Sequence, residues 1–342
     1  MLSTPLSTNP PIGILLTNIG TPTAPTPKAV RRYLAEFLTD PRIVSIPKLL
    51  WWPLLYGIIL NIRPRRSAAA YQKIWTQEGS PLLCIAKSQA LKLQHLLEMS
   101  LSKPVQVVLG MRYGEPSIAT ALQQLRAASV EQLLVLPLFP QYSSATTASI
   151  FDAVTAELQQ WIDIPNLHFN KHYATDPGYI AALANSIKAH WAQQGRGNYL
   201  LFSFHGIPQR LITKGDPYYA QCQQTAEQVA QQLQLSPSEW RLVFQSRFGY
   251  EPWLQPYCIE TLKELAEQGQ TVVDIICPGF SADCLETLEE ISMQNQAIFI
   301  KGGGKSLRYI PALNDSAAHI EVLAQLITKQ LASWLDKGLD NY

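Results

Sequence analysis

Two six-residue stretches, Thr17–Pro22 (TNIGTP) and Ser203–Pro208 (SFHGIP), share one pattern. An apolar run leads into each, IGILL at 12–16 and NYLLF at 198–202, and a Gly-x-Pro turn leads out. Two further pairs follow in the same order. MRYGEP at 111–116 echoes SRFGYEP at 246–252, and PLFPQYS at 137–143 echoes CPGFSAD at 277–283 more loosely. The chain therefore reads as two similar halves. Ile19 occupies in one half the place that His205 occupies in the other, and that asymmetry marks where chemistry is expected.

Working outward, short apolar runs alternate with amphipathic stretches. The spacing predicts strands over 12–18, 105–110, 132–138, 166–170, 198–204, 241–246, 272–277 and 296–300. Many are continuously apolar, as parallel strands covered on both faces must be. Helical patterns fill the intervals, and the last runs over about 316–336 with Ile320, Leu323, Ile327, Leu331 and Trp334 on one face. Alternation of this kind predicts an α/β fold: two doubly wound domains of similar topology, 1–173 and 174–342, each with a parallel four-stranded sheet, whose strand-end loops line a shared cleft if the halves face each other. Ligands of such sheets bind beyond the carboxyl ends of the strands, where all the paired motifs fall.

Hydrophobic residues make up 47% of the 342 and charged residues only 15%, which excludes a disordered chain. A net charge of +1 gives no sign of a nucleic-acid partner. The charge is unevenly placed. Eight Lys/Arg against two Asp/Glu lie between Lys28 and Arg66, and nine Asp/Glu against one Lys between Glu251 and Glu290. A basic first half and an acidic second half suit a ligand that carries carboxylates together with a metal cation, although solvated faces explain single charges equally well. Five cysteines without a CxxC pair point to a reducing compartment. MLSTPLSTNPP at the start has none of the regions of a signal peptide, so a cytoplasmic location is expected. Leu49–Leu60 (LLWWPLLYGIIL) is too short to span a bilayer, which takes about 20 residues. It reads either as a buried helix or as an apolar lip, flanked by Lys48 and Arg63–Arg66, that touches a membrane or a greasy ligand.

His205 ends an apolar strand and precedes a glycine, which holds an imidazole at the cleft without mobility; a loop-capping role explains it equally well. In CPGFSADCLETLEEI, Cys277–Ile291, a strand gives way to a helix on which Glu286 and Glu290, four apart, share a face. Asp283 and Glu286 also have the spacing of a capping box, which accounts for Glu286 but not for Glu290, a turn further on. A row of carboxylates leading to a histidine can pass on a divalent cation or protons.

These segments, with GDPYYAQC at 215–222, FQSRFGYEPWLQPY at 244–257, LLTNIGTPTAPTP, IWTQEGSPL at 74–82 and PLFPQYSSATTASIFDAV at 137–154, resemble the ferrochelatases, in order, from about residue 12 to about 335. The likeness is greatest to bacterial enzymes of the protoporphyrin type. It implies a chelatase-type fold of two similar Rossmann-like domains around a shared porphyrin cleft, a lyase that inserts Fe2+ into protoporphyrin IX, and no permanently bound cofactor. It implies that His205 and Glu286 are catalytic and, with Glu290, meet the metal. Arg112, Tyr113, Tyr218 and Trp253 match positions around the porphyrin. Arg63, Tyr71 and Ser80 match its entrance and propionate groups, and Ile19 the face opposite His205. The apolar stretch matches the active-site lip, which adds peripheral contact with the inner membrane as an expectation. Two departures stand out. Cys284 replaces a histidine that some members carry two residues before the glutamate, and Ser144 stands where others carry an iron–sulfur ligand, so no cluster is expected. Nor is an appended membrane segment, since no long C-terminal extension follows. Two alternatives stay open: a chelatase for another tetrapyrrole such as coproporphyrin, and a porphyrin or haem carrier without turnover.

Overall fold

The computed structural model describes residues 10–249 and 251–335. The signal-peptide reading of residues 1–9, and the final residue of the helix expected to end at 336, lie outside them. Among the described residues eight strands form two sheets: β1 (Ile12–Gly20), β2 (Val105–Tyr113), β3 (Gln132–Pro137) and β4 (Asn166–Phe169) in one, and β5 (Tyr199–His205), β6 (Trp240–Gln245), β7 (Val272–Ile276) and β8 (Ser306–Ile310) in the other. Their orders are β2-β1-β3-β4 and β6-β5-β7-β8, the same topology twice. All pairings within the two sheets are parallel, which requires the helical crossovers seen between consecutive strands.

Strand alternation divides the core. Ile12, Ile14 and Leu16 of β1 point to one side and join Leu200, Phe202 and Phe204 of β5 in a single large cluster. The opposite face of the first sheet, with Leu15, Leu133 and Val135, packs on Ile118, Leu122, Ile150 and Val154. The opposite face of the second, with Leu201, Val273 and Ile275, packs on Leu262 and Phe299. The shared cluster is filled by helices Pro177–Gln194 and Ala317–Leu335, and the latter also packs on helix Pro81–Ser100 of the first half. Apolar core therefore runs unbroken between the two sheets, and side chains of the two halves meet, Arg63 over Phe248 and Lys73 on Glu289.

One strand departs from expectation. Residues 296–300 are helical, within Gln296–Lys301, and the fourth strand of the second sheet is Ser306–Ile310. The apolar run AIFI continues the preceding helix and buries Phe299, and glycines 302–304 end it. Gly304 is needed there, because a Cβ would sit 2.3 Å from the Phe299 ring. The apolar stretch at 49–60 forms helix Lys48–Leu54, a π-helical turn Leu55–Ile59 and the start of helix Leu60–Ile74. Leu55 and Leu60 are buried, but Leu49 is 90% exposed and Leu50 71%, so the segment is a lip and not a core helix. Among the described residues no helix is long and apolar enough to cross a membrane.

Candidate active site

The paired motifs converge as their topology requires. TNIGTP and SFHGIP leave the ends of β1 and β5, the central strands of their sheets. Each motif's glycine lets its loop approach the neighbouring strand. Gly20 has φ +100°, and a Cβ on it would lie 1.8 Å from the Tyr113 carbonyl. A Cβ on Gly206 would meet the Gln245 carbonyl at 2.9 Å, the same carbonyl that accepts its N–H at 2.7 Å.

His205 is half-buried at the end of β5. Its Nδ1 lies 2.6 Å from the Gly206 carbonyl oxygen. A carbonyl only accepts, so Nδ1 carries a proton, and in the neutral ring Nε2 keeps its lone pair. Tyr218 donates its hydroxyl to the His205 carbonyl at 3.0 Å. Asp216 orients Tyr218 by accepting its N–H, and also accepts the N–H of Ser144 from the first half. Trp253 comes alongside because residues 207–209 and 252–254 pair their backbones, which sets its ring centroid 6.5 Å from the imidazole.

The acidic segment begins with Leu285 and is π-helical over Glu286–Asn295. The capping box does not form. The Asp283 N–H donates to Asn314 Oδ1 at 2.8 Å, so Glu286 has no cap amide to accept from. The Asp283 carboxylate accepts instead from Thr287 Oγ1, Tyr309 and Asn314 Nδ2. Glu286 is half-buried beside the buried Cys284 thiol. Ser246 donates both its backbone N–H and its hydroxyl to the carboxylate of Glu290. Burial raises the pKa of Glu290; the bonds from Ser246 and, when its ring is protonated, nearby His205 oppose the shift, and the charge of Glu286 adds to it. Glu290 therefore lies within electrostatic reach of both His205 and Glu286. Among the described residues no three His, Cys, Asp or Glu side chains gather as a metal cage.

Gln245, which the sequence reading passed over, holds this constellation together. It is buried at the end of β6, paired with His205. Its Oε1 accepts from Ser203 at 2.7 Å, and its Nε2 donates to the Glu286 carbonyl at 2.9 Å. The signal was an amide and a hydroxyl, Gln245-Ser246, at the end of an apolar strand.

The remaining expected residues fall in two places. Ile19 packs beside Leu82, Ala282 and Cys284, with Cys284 buried and its thiol pushed up by burial and then by Glu286. Ser80 is buried and accepts from Thr21 Oγ1 at 2.9 Å. Tyr71 is buried in the lip's own cluster, where burial raises its hydroxyl pKa far above the ordinary value. Arg63 reaches across the cleft to lie 4.8 Å over the Phe248 ring. Burial, then Arg66, lowers its pKa. Arg112 and Tyr113 behave differently. Arg112 donates to Asp40 at 2.5 Å and to Ser149 at 2.6 Å, and Tyr113 donates to Asp40 at 2.8 Å. Burial alone would raise the Asp40 carboxyl, but the bonds from Ser149, the Arg42 N–H and Tyr113, with the charge of Arg112, hold it below its ordinary value. These two side chains thus fix the wall of the cleft through a buried carboxylate.

Comparison with known proteins identifies the family. The ferrochelatase family model matches residues 11–331. The ferrochelatase of Methylococcus capsulatus is 53% identical over 94% of this chain and 97% of its own length. That of Thioalkalivibrio sulfidiphilus is 52% identical over 94% of this chain and 88% of its own. The chain belongs to the ferrochelatase family. As a ferrochelatase-family protein it is an enzyme of the lyase class, and it inserts Fe2+ into a porphyrin in haem synthesis. At the level of fold alone, SirB from Bacillus subtilis, solved with Fe3+, superposes with a TM-score of 0.55 at 12% identity, covering 97% of this chain and 99% of that one. The expected chelatase-type architecture is thus the one observed.

Proposed function

We propose that the protein's porphyrin is protoporphyrin IX and its product protohaem, with His205, Glu286 and Glu290 as the groups that handle iron and protons. The observation that carries this reading is the free Nε2 of His205 set near two carboxylates of one helix, where burial raises the pKa of Glu290. Metallation breaks two pyrrole N–H bonds and forms four Fe–N bonds, so two protons need acceptors while Fe2+ sheds its water. The lone pair on Nε2 takes one proton. A carboxylate with a raised pKa takes the other, and its oxygens suit a divalent cation as it arrives.

A planar macrocycle hides its nitrogen lone pairs. Ile19 on one side and Trp253 with His205 on the other offer surfaces that bend it, so that binding energy goes into distortion. Arg63, beside Tyr71 and Ser80 at the mouth, pairs with propionates, for which a guanidinium fork is suited. Arg112 and Tyr113 act at one remove, by shaping the wall. Iron enters as substrate, and the scheme uses no resident cofactor. At Ser144 we place no cluster ligand, because such clusters are held by cysteine thiolates.

The exposed Leu49, Leu50 and Ile62, beside Lys48, Arg65 and Arg66, suit docking on an anionic membrane surface, which would deliver an apolar porphyrin to the lip. Location in the cytoplasm, peripheral to the inner membrane, follows as part of the proposal. The test of porphyrin choice is the rate of anaerobic Fe2+ insertion into protoporphyrin IX against coproporphyrin. A higher kcat/KM for protoporphyrin supports the reading, and a preference for coproporphyrin overturns it. Binding of either without turnover would make the protein a carrier.

A further inference from the structure

Glu289 stands between the two carboxylates of the site and takes no part in it. Its side chain is only 4% exposed. Its charge is matched from the other half of the chain: Lys73, in the lip helix Leu60–Ile74, donates Nζ to Oε1 at 2.7 Å. Gln294 donates Nε2 to the other oxygen at 2.5 Å. Lys73 is itself 54% exposed, so losing the pair would leave the lysine solvated but the carboxylate stranded.

Glu286–Asn295 winds as a π-helix, and successive side chains of a helix point in different directions, so adjacent residues serve different neighbours. Leu285 and Leu288 pack into the lip cluster with Leu60 and Tyr71. Glu289 joins them on the lip side through Lys73, whereas Glu290 is held by Ser246 on the cleft side. A buried carboxylate that has lost its counter-charge is costly where it stands, and turning it towards water turns the helix that also carries Glu286 and Glu290.

We propose that Lys73 is a positioning residue for the metal-site carboxylates. By neutralising Glu289 it fixes the rotation of the acidic helix, and it ties that helix to the one bearing Arg63 and Tyr71. The porphyrin end and the iron end of the cleft are thereby held in register. The inference rests on the reading of Glu286 and Glu290 as groups that meet iron or protons.

The test uses the full chain, with anaerobic insertion kinetics, porphyrin binding by fluorescence quenching and thermal melting. Lys73→Met should raise the KM for Fe2+ and lower kcat, together about tenfold or more in kcat/KM, with porphyrin affinity within about twofold of wild type. Lys73→Arg should restore the wild-type values. Glu289→Gln, which strands no charge and so keeps the test readable if Lys73→Met folds poorly, should cost about threefold in kcat/KM for iron. The double variant Lys73→Met/Glu289→Gln should match Glu289→Gln alone, because Lys73 acts only through Glu289. Unchanged iron kinetics in Glu289→Gln and Lys73→Met, with or without a lower melting temperature, would overturn the proposal, and so would additive losses in the double variant. Glu286→Gln and Glu290→Gln separate the two levels. If they impair iron insertion and Lys73→Met does not, only this inference fails. If neither impairs it, the reading of the carboxylates fails first.

Discussion

Ser246 grips Glu290 with two donors, its N–H at 2.9 Å from Oε1 and its hydroxyl on Oε2. Even so, burial prevails and the carboxyl pKa is raised. The folded protein therefore holds this proton more tightly than the unfolded chain does. Below the ordinary carboxylate pKa both states are protonated. As pH rises from there through the raised value, the unfolded state alone ionises freely, and stability falls. Glu290→Gln removes that penalty. Its melting temperature relative to wild type, measured without metal, should rise between pH 4 and pH 8; a difference independent of pH would contradict the account.

Gln245 bridges Ser203 to the Glu286 carbonyl within a buried site. Gln245→Leu leaves both partners without their bonds, at about 1–3 kcal/mol for each buried group. Chemical denaturation should register roughly 2–4 kcal/mol of lost stability. Insertion should also slow, because Glu286 loses its tether to β6. A variant with wild-type stability would show that water or another group replaces the amide.

Arg63 lies over Phe248 from the opposite half of the cleft. Arg63→Met should weaken binding of a dicarboxylate porphyrin but not of its dimethyl ester. Phe248→Leu keeps apolar bulk but loses the π face, worth about 0.5–1 kcal/mol at a half-exposed site, or about two- to fivefold in affinity. Phe248→Tyr should retain binding. Equal losses for acid and ester would mean that Arg63 acts by packing alone.

The lip presents Leu49, Leu50 and Ile62 to solvent next to basic side chains. Replacing Leu49 and Leu50 by Asn should reduce cosedimentation with vesicles containing phosphatidylglycerol, and added salt should reduce wild-type binding by screening the basic residues. Absence of wild-type binding at low salt would remove membrane docking from the account.

What could be read in the sequence follows from which interactions are local. The strand-end motifs announced themselves, because a glycine needed for close approach and a Pro-led turn recur wherever the topology recurs. The duplicated order of four parallel strands was legible for the same reason. The eighth strand was not. AIFI and SLRYI are both short apolar stretches, and only the Phe299 packing and the glycines after it decide that the first is helix. The π-helical turn was hidden too, since Glu286 and Glu290 share a face at either winding, and only Asn314, 31 residues from Asp283, shows that the capping box is absent. The pairs of Lys73 with Glu289 and of Arg112 with Asp40 join residues 216 and 72 apart, and nothing in either local sequence specifies its partner.

The central claim is that His205 offers a basic Nε2 to the porphyrin while Nδ1 is held by the Gly206 carbonyl. The most direct measurement is anaerobic insertion of Fe2+ into protoporphyrin IX by wild type and His205→Ala, followed in the Soret and visible bands, with porphyrin binding measured on the same samples. The account predicts many turnovers for wild type, and for His205→Ala retained binding with insertion reduced by at least about 100-fold, the scale of a lost general base. Insertion by His205→Ala within a few-fold of wild type would contradict it and place the proton acceptor elsewhere in the cleft.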